Sequence, residues 1–262
     1  MYVAYKYSPS NYYYNQYFNK YLSDGQSIYD DHQKHVRECL SDYISTDGVI
    51  NGSELRENWF SIETTDIFIS HSHKDINKVK AFAGWLYNKF RLTSFVDSCA
   101  WGYCDDLLNI IDKKYCYKKE KGTYNYNLRN YTTAHVHMML ATAIVETMNR
   151  SECVIFFNTP NSIVMSDQLS FINSKDYEKT TSPWIFYELT MISKMNRVKP
   201  IRKTSVLSHT DYKKRDNLNI QYDVSDIIET IPIIDDNRLI RWSDHHNKCC
   251  HPLDELYSIM GS

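Results

Sequence analysis

The chain predicts an α/β protein with a central, mainly parallel five-stranded sheet flanked by helices. Three observations predict it. Short apolar runs alternate with amphipathic helical patterns from residue 66 onward. Such alternation implies parallel strands joined by right-handed crossovers. The runs lack strict in–out alternation, which suits strands covered on both faces. Finally, DIFISHSHKD (66–75) ends an apolar run in a polar cluster, and open α/β sheets bind ligands outside the carboxyl ends of their strands.

The elements follow in order. Residues 1–58 form a tyrosine-rich helical extension and 59–262 the main domain. In the extension Ile28, His32, Val36, Leu40 and Tyr43 fall close to helical spacing, and Asp47-Gly48 and Asn51-Gly52 mark turns. Its tyrosines are expected to pack on the main domain, with a partner or self-association surface as the alternative. The first strand is 66–70. A helix over 76–90 follows, with Val79, Phe82, Ala83, Leu86 and Phe90 on one face. The second strand is 93–97, and 104–112 is a short helix. An insertion at 113–131 carries five lysines and reads as a solvated loop. A helix over 132–149 precedes the third strand, 153–157. A second insertion, 158–182, leads to a helix over 183–196, with Ser182 as cap and Pro183 in the first turn. The fourth strand is expected at Ser205–Leu207 and the fifth at Ile231–Ile234, where Pro232 weakens its interior character.

Composition narrows the function classes. A net charge of -2 gives no general attraction to nucleic acid or acidic membranes, so neither is expected as a partner. The 7 glycines form neither GxGxxG nor a Walker loop, so a nucleotide would be held without a glycine-rich cradle. The 7 cysteines include no CxxC and read as reduced thiols in a cytoplasmic protein. The first residues lack the basic start and apolar core of a secretion signal, and the apolar stretch at 136–145 is too short to cross a bilayer.

The ordered motifs resemble those of a TIR (Toll/interleukin-1 receptor homology) domain. FISHSHKD follows an acidic residue, a helix leads to SFVDS, RSECVIFFNTPNSI supplies a third strand, and SPWIFYEL opens a helix with Trp184 and Glu188 as Trp-x-x-x-Glu. The likeness covers roughly 66–235, with 113–131 and 158–182 as insertions that a minimal TIR domain lacks. It implies a flavodoxin-like fold. It resembles the NAD-processing bacterial branch, including the Thoeris-type proteins of anti-phage defence. Those proteins split the nicotinamide–ribose bond and release linear, cyclic or conjugated ADP-ribose, in some systems as a signal to a separate effector. NAD is then substrate, with no cofactor and no metal, and TIR domains self-assemble. The sequence after Asp97 departs from the usual loop of the family at this place.

The chemistry suits one carboxylate. Nicotinamide leaves as a neutral group and needs no general acid, so the protein has only to stabilise an oxocarbenium-like ribose. Glu188 fits that catalytic role, one helical turn beyond Trp184 on the same face. By the resemblance, Phe68, Ser70 and His71 line the nicotinamide–ribose side. Asp97 and Trp101 follow the second strand, where Trp101 stacks on a base or packs. Tyr187 contacts substrate or packs.

Other constellations are weaker. HHNKCCH at 245–251 lacks paired zinc spacing, His135 and His137 face apart, and Ser70, His71 and Asp75 lack a nucleophile elbow. Two alternatives remain beside the enzyme: a non-catalytic TIR interaction module and a nucleoside deoxyribosyltransferase-like enzyme.

Overall fold

Five strands build the central sheet of the computed structural model: β1 (Val3–Tyr7), β2 (Ile67–His71), β3 (Ser94–Val96), β4 (Cys153–Phe157) and β5 (Ile233–Ile234). The structure describes residues 1–34, 50–60, 64–166, 177–200, 222–246 and 250–261, without the side chains of 31–34, 57, 58, 99–103, 165, 166 and 177. The sheet order is β5-β1-β4-β2-β3 and every pairing is parallel. With β1 set aside, the remaining strands run in the flavodoxin-like order, and β1 stands where that order has its fourth strand. Register brings Tyr7, Phe157 and His71 level at the carboxyl ends of β1, β4 and β2.

Among the described residues, nine α-helices of five or more residues surround this sheet: α1 (Leu22–Lys34), α2 (Gly52–Trp59), α3 (Ile76–Phe90), α4 (Ser98–Ile111), α5 (Tyr126–Arg150), α6 (Pro183–Lys194), α7 (Ser225–Glu229), α8 (Asp236–His245) and α9 (Pro252–Met260). Strand residues alternate between two cores. Ala4, Phe68, Phe95, Val154 and Phe156 pack with side chains of α2, α4, α5, α6 and α7. Tyr5, Tyr7, Ile67, Ile69, Val96, Ile155 and Phe157 pack with α1, α3, α8 and α9. Helices on both faces are what right-handed crossovers demand when the chain winds one way from β2 and the other way from β4. Gly25 of α1 and Gly84 of α3 let these helices cross closely, because a Cβ on either would overlap a facing backbone carbonyl.

The amino-terminal segment corrects the expectation of a helical extension. Val3–Tyr7 is a central strand, so a boundary at residue 58 cuts through the sheet. The physical reason is burial on both faces: Ala4, Tyr5, Lys6 and Tyr7 are all buried, and the Tyr7 hydroxyl donates to Asp236 Oδ1 at 2.8 Å. Tyrosines beyond β1 do pack on the main domain, as Tyr14, Tyr17, Tyr21 and Tyr29 show by their place in or against the second core. Val36, Leu40 and Tyr43 lie outside the described residues, as does the strand expected at Ser205–Leu207.

Elsewhere the ends of elements shift, and small strands appear inside the two insertions. The helix after β3 begins at Ser98 rather than 104, and α5 begins at Tyr126 rather than 132. Asn125 caps α5, accepting the backbone N–H groups of Asn127 and Leu128. The insertion at 113–131 contains a small hairpin, Tyr117–Lys118 against Thr123–Tyr124. Val164–Ser166, Tyr177–Thr180 and Tyr222–Asp223 form a second small antiparallel sheet. Among the described residues no helix is long and apolar enough to cross a membrane.

Candidate active site

Ser70 and His71 end β2, Asp97 follows β3, and Glu188 lies in the second turn of α6. That turn is set by sequence: Pro183 opens α6, and the Ser182 hydroxyl accepts the Ile185 N–H at 3.3 Å. Ile185, Leu189 and Ile192 pin the helix in the first core, which also holds Phe68 of β2. Asp97 is held beside β2 by its own backbone N–H, which donates to the Ile69 carbonyl at 3.4 Å. Its Oδ1 lies 2.5 Å from His71 Nδ1, and its Oδ2 accepts the His71 backbone N–H at 3.5 Å.

Glu188 has 0% exposure, and neither carboxyl oxygen has a hydrogen-bond partner among the described residues. The hydroxyls of Ser70 and Ser94, Nε2 of His71 and Oδ1 of Asp97 are buried without hydrogen bonds in the same sense, so the His71–Asp97 approach is a charge contact. Burial pushes the Glu188 carboxyl well above the usual carboxylate range, and the negative charge of Asp97 pushes it the same way. The nearby Ser70 hydroxyl pulls in the opposite direction, in favour of the ionised form. The arrangement therefore favours a protonated Glu188 close to an Asp97 that is engaged with His71. A buried carboxyl left without hydrogen bonds is uncommon, and strongly perturbed groups concentrate at functional sites.

The predicted site residues divide into four groups. Ser70, His71, Asp97 and Glu188 come together. Phe68 is fully buried and stacks on Phe95 at 5.5 Å between ring centroids, so it forms floor rather than lining. Trp184 and Tyr187 turn toward α5: Trp184 meets the His137 ring edge-on at 5.7 Å, and the Tyr187 hydroxyl donates to the Ala141 carbonyl at 3.2 Å. The backbone of Trp101 belongs to the first turns of α4, and its side chain lies outside the description.

Sequence reasoning missed an open cleft of about 820 Å3 outside the carboxyl ends of β1 and β4. Ser8, Asn11, Asp75, Lys78, Asn158 and Asn161 are among its walls. Asp75, the last residue of DIFISHSHKD, accepts from the Thr159 hydroxyl at 2.5 Å and from the Asn161 amide at 3.0 Å. These bonds fasten the loop after β4 to the loop after β2. The signal for the cleft was Asp75 itself, but its other wall is the segment Ser8–Asn11, which follows the unforeseen strand β1.

Among the described residues one group of potential metal ligands comes together. His251 stands with Glu152 and Asp254, their ligand atoms within 4.8 Å of one another, before the amino end of β4. However, His251 Nδ1 accepts the Leu253 N–H at 3.3 Å as the cap of α9. Neutral imidazole then carries its proton on Nε2, which leaves no lone pair for a cation. Among the described cysteines, burial pushes the Cys104 thiol up to about 12 and raises Cys116 and Cys153 as well, which disfavours these three as thiolates.

Fold and site together define an α/β protein with a buried carboxyl group and a carboxylate side by side at the carboxyl end of a parallel sheet. Comparison with known proteins adds nothing to that class: no family model matches the chain, and no curated protein or solved structure matches it.

Proposed function

We propose that the chain is a TIR-type enzyme that cleaves the nicotinamide–ribose bond of NAD, with Glu188 as its essential carboxylate. The observation that carries this reading is the fully buried Glu188, which makes no hydrogen bond of good geometry and lies beside Ser70 and Asp97, at the end of the sheet where ligands bind. The TIR-like order of motifs in the sequence supports it.

In hydrolysis, water adds to the ribose C1′ as the C1′–nitrogen bond breaks. The bonding pair leaves with nicotinamide, and NAD plus water becomes ADP-ribose, nicotinamide and a proton. Glu188 acts when ionised, by balancing positive charge on the ribose and holding its hydroxyls. In the closed arrangement burial favours its neutral form. Entry of substrate and water reduces that burial, and the cationic nicotinamide ring adds attraction for the anion. Asp97 keeps its contact with His71 and stays in place behind the reacting carboxylate. Capture of C1′ by an internal or external acceptor in place of water would give the cyclic or conjugated products. Uncovering of Glu188 on self-assembly, and use of the product as an antiviral signal read by a separate effector, belong to the same proposal.

Complete burial of Glu188 also favours a second reading, a non-catalytic interaction module in which the carboxyl only packs α6 against β2. Incubation of purified protein with NAD at low and high protein concentration, followed by mass spectrometry, separates the two. The enzyme releases nicotinamide and its Glu188→Gln variant does not. The module releases none in either form.

A further inference from the structure

We infer that the hairpin inserted between α4 and α5 is a binding element for single-stranded nucleic acid. Residues 113–131 hold five lysines, one arginine and five tyrosines against a single glutamate, in a chain whose overall net charge is -2. The net charge of the chain hides this concentration of positive charge. In the fold the lysines Lys113, Lys114, Lys118, Lys119 and Lys121 are all exposed, and so is Arg129.

The tyrosines share that surface. Tyr126 is 76% exposed and Tyr131 65%, values far from those of core aromatics. Tyr117 and Tyr124 face each other across the hairpin with ring centroids 5.2 Å apart. The Arg129 guanidinium lies over the Tyr124 ring at 5.2 Å, and Tyr131 meets His135 at 4.4 Å. Flat rings beside mobile cations are the pairing that strand-tracking surfaces use: bases stack on the rings while lysines meet the phosphates. Stacking faces do not select sequence, so little base preference is expected. A membrane-surface helix would instead carry Trp, Phe and Leu along one face, and residues 113–131 hold neither Trp nor Phe and only a single Leu.

The platform is also built in advance. Gly122 takes the turn at φ +61°, and the Lys121 N–H closes it on the Lys118 carbonyl at 3.1 Å. The base of the hairpin is tied by the Asn125 N–H to the Cys116 carbonyl at 2.8 Å. Buried Asp112 accepts from Arg129 Nε at 2.7 Å and from the Thr132 hydroxyl at 2.8 Å. A preformed surface loses less conformational freedom on binding. This inference does not rest on NAD cleavage.

Fluorescence anisotropy with labelled 20-nucleotide single strands of mixed sequence, DNA and RNA, tests it on the full chain. Binding should weaken steeply between about 50 and 200 mM salt, as phosphate neutralisation requires. Tyr117→Ala with Tyr124→Ala should weaken it by at least about fivefold with the salt slope kept, since base stacking is lost. Lys118→Glu with Lys119→Glu should weaken it and flatten the slope. All four positions are exposed, so folding is expected to survive, and circular dichroism checks this. Absence of binding at low salt overturns the inference. So does binding that neither double variant changes, or a preference for phosphatidylserine vesicles over the oligonucleotides.

Discussion

Asp75 and Glu188 are both buried carboxyl side chains near the carboxyl ends of the same sheet, yet their surroundings are opposite. Asp75 accepts from Thr159 and Asn161, and Lys78 stands 4.0 Å away. Glu188 has no hydrogen bond of good geometry among the described residues, only the nearby Ser70 hydroxyl and the like-signed Asp97. The contrast separates a carboxylate that fastens the fold from one that the fold strains. Buried polar groups in stable scaffolds are paired, so an unpaired one marks either a function or a state that must open.

Removal of the paired carboxylate should have the larger effect on stability. Asp75→Ala strands the Thr159 and Asn161 donors and is expected to cost about 2–4 kcal/mol, given the strength of hydrogen bonds to charged groups. Chemical denaturation checks it, and a loss under about 0.5 kcal/mol would erase the contrast. Glu188→Gln should act with the opposite sign and raise the thermal midpoint at pH 8. Gln keeps the shape of the protonated acid and has no charge to bury. A chain of this length gains about 2–4 °C per kcal/mol.

The pH dependence sharpens the comparison. The folded-state pKa of Glu188 is raised, so the folded form holds the proton more tightly than the unfolded chain does. That contribution is fully present below the ordinary glutamate value of about 4.3 and is lost as pH rises toward the raised value. The stability advantage of Glu188→Gln over wild type should therefore grow through that window and then level off. A constant advantage would mean that Glu188 titrates normally. The smallest expected effect comes from Asp97→Asn, which removes the second cause of the raised pKa. The acid limb of any NAD-cleaving activity should then move to lower pH, while burial keeps it above the ordinary glutamate range.

Particular residues explain what the sequence disclosed. β4 appeared over its observed residues, and α3 over 76–90, because apolar spacing there is dictated by core contacts. Glu188 was legible because Ser182-Pro183 fixes the start of α6, and so the phase of every later residue. β1 escaped because its aromatic residues merge with a run of surface tyrosines and Lys6 interrupts the apolar pattern. Trp184 and Tyr187 share the helix of Glu188, but helical phase alone does not say that α5 covers their side of it. The early turns of α5 were missed because they carry exposed tyrosines and amides with no apolar face. The cleft beside Asp75 was not legible because it unites segments about 65 to 150 residues apart, joined only by the sheet.

The central claim is that the strained carboxyl of Glu188 is the one that acts. The most direct measurement is nicotinamide release from NAD by wild-type protein and by Glu188→Gln, with the variant shown to be folded and no less stable. The account predicts release by wild type and a loss of at least about a hundredfold in the variant, as expected when a key charge-stabilising group is removed. Turnover by the variant at the wild-type rate, or none by wild type at any protein concentration, would contradict it.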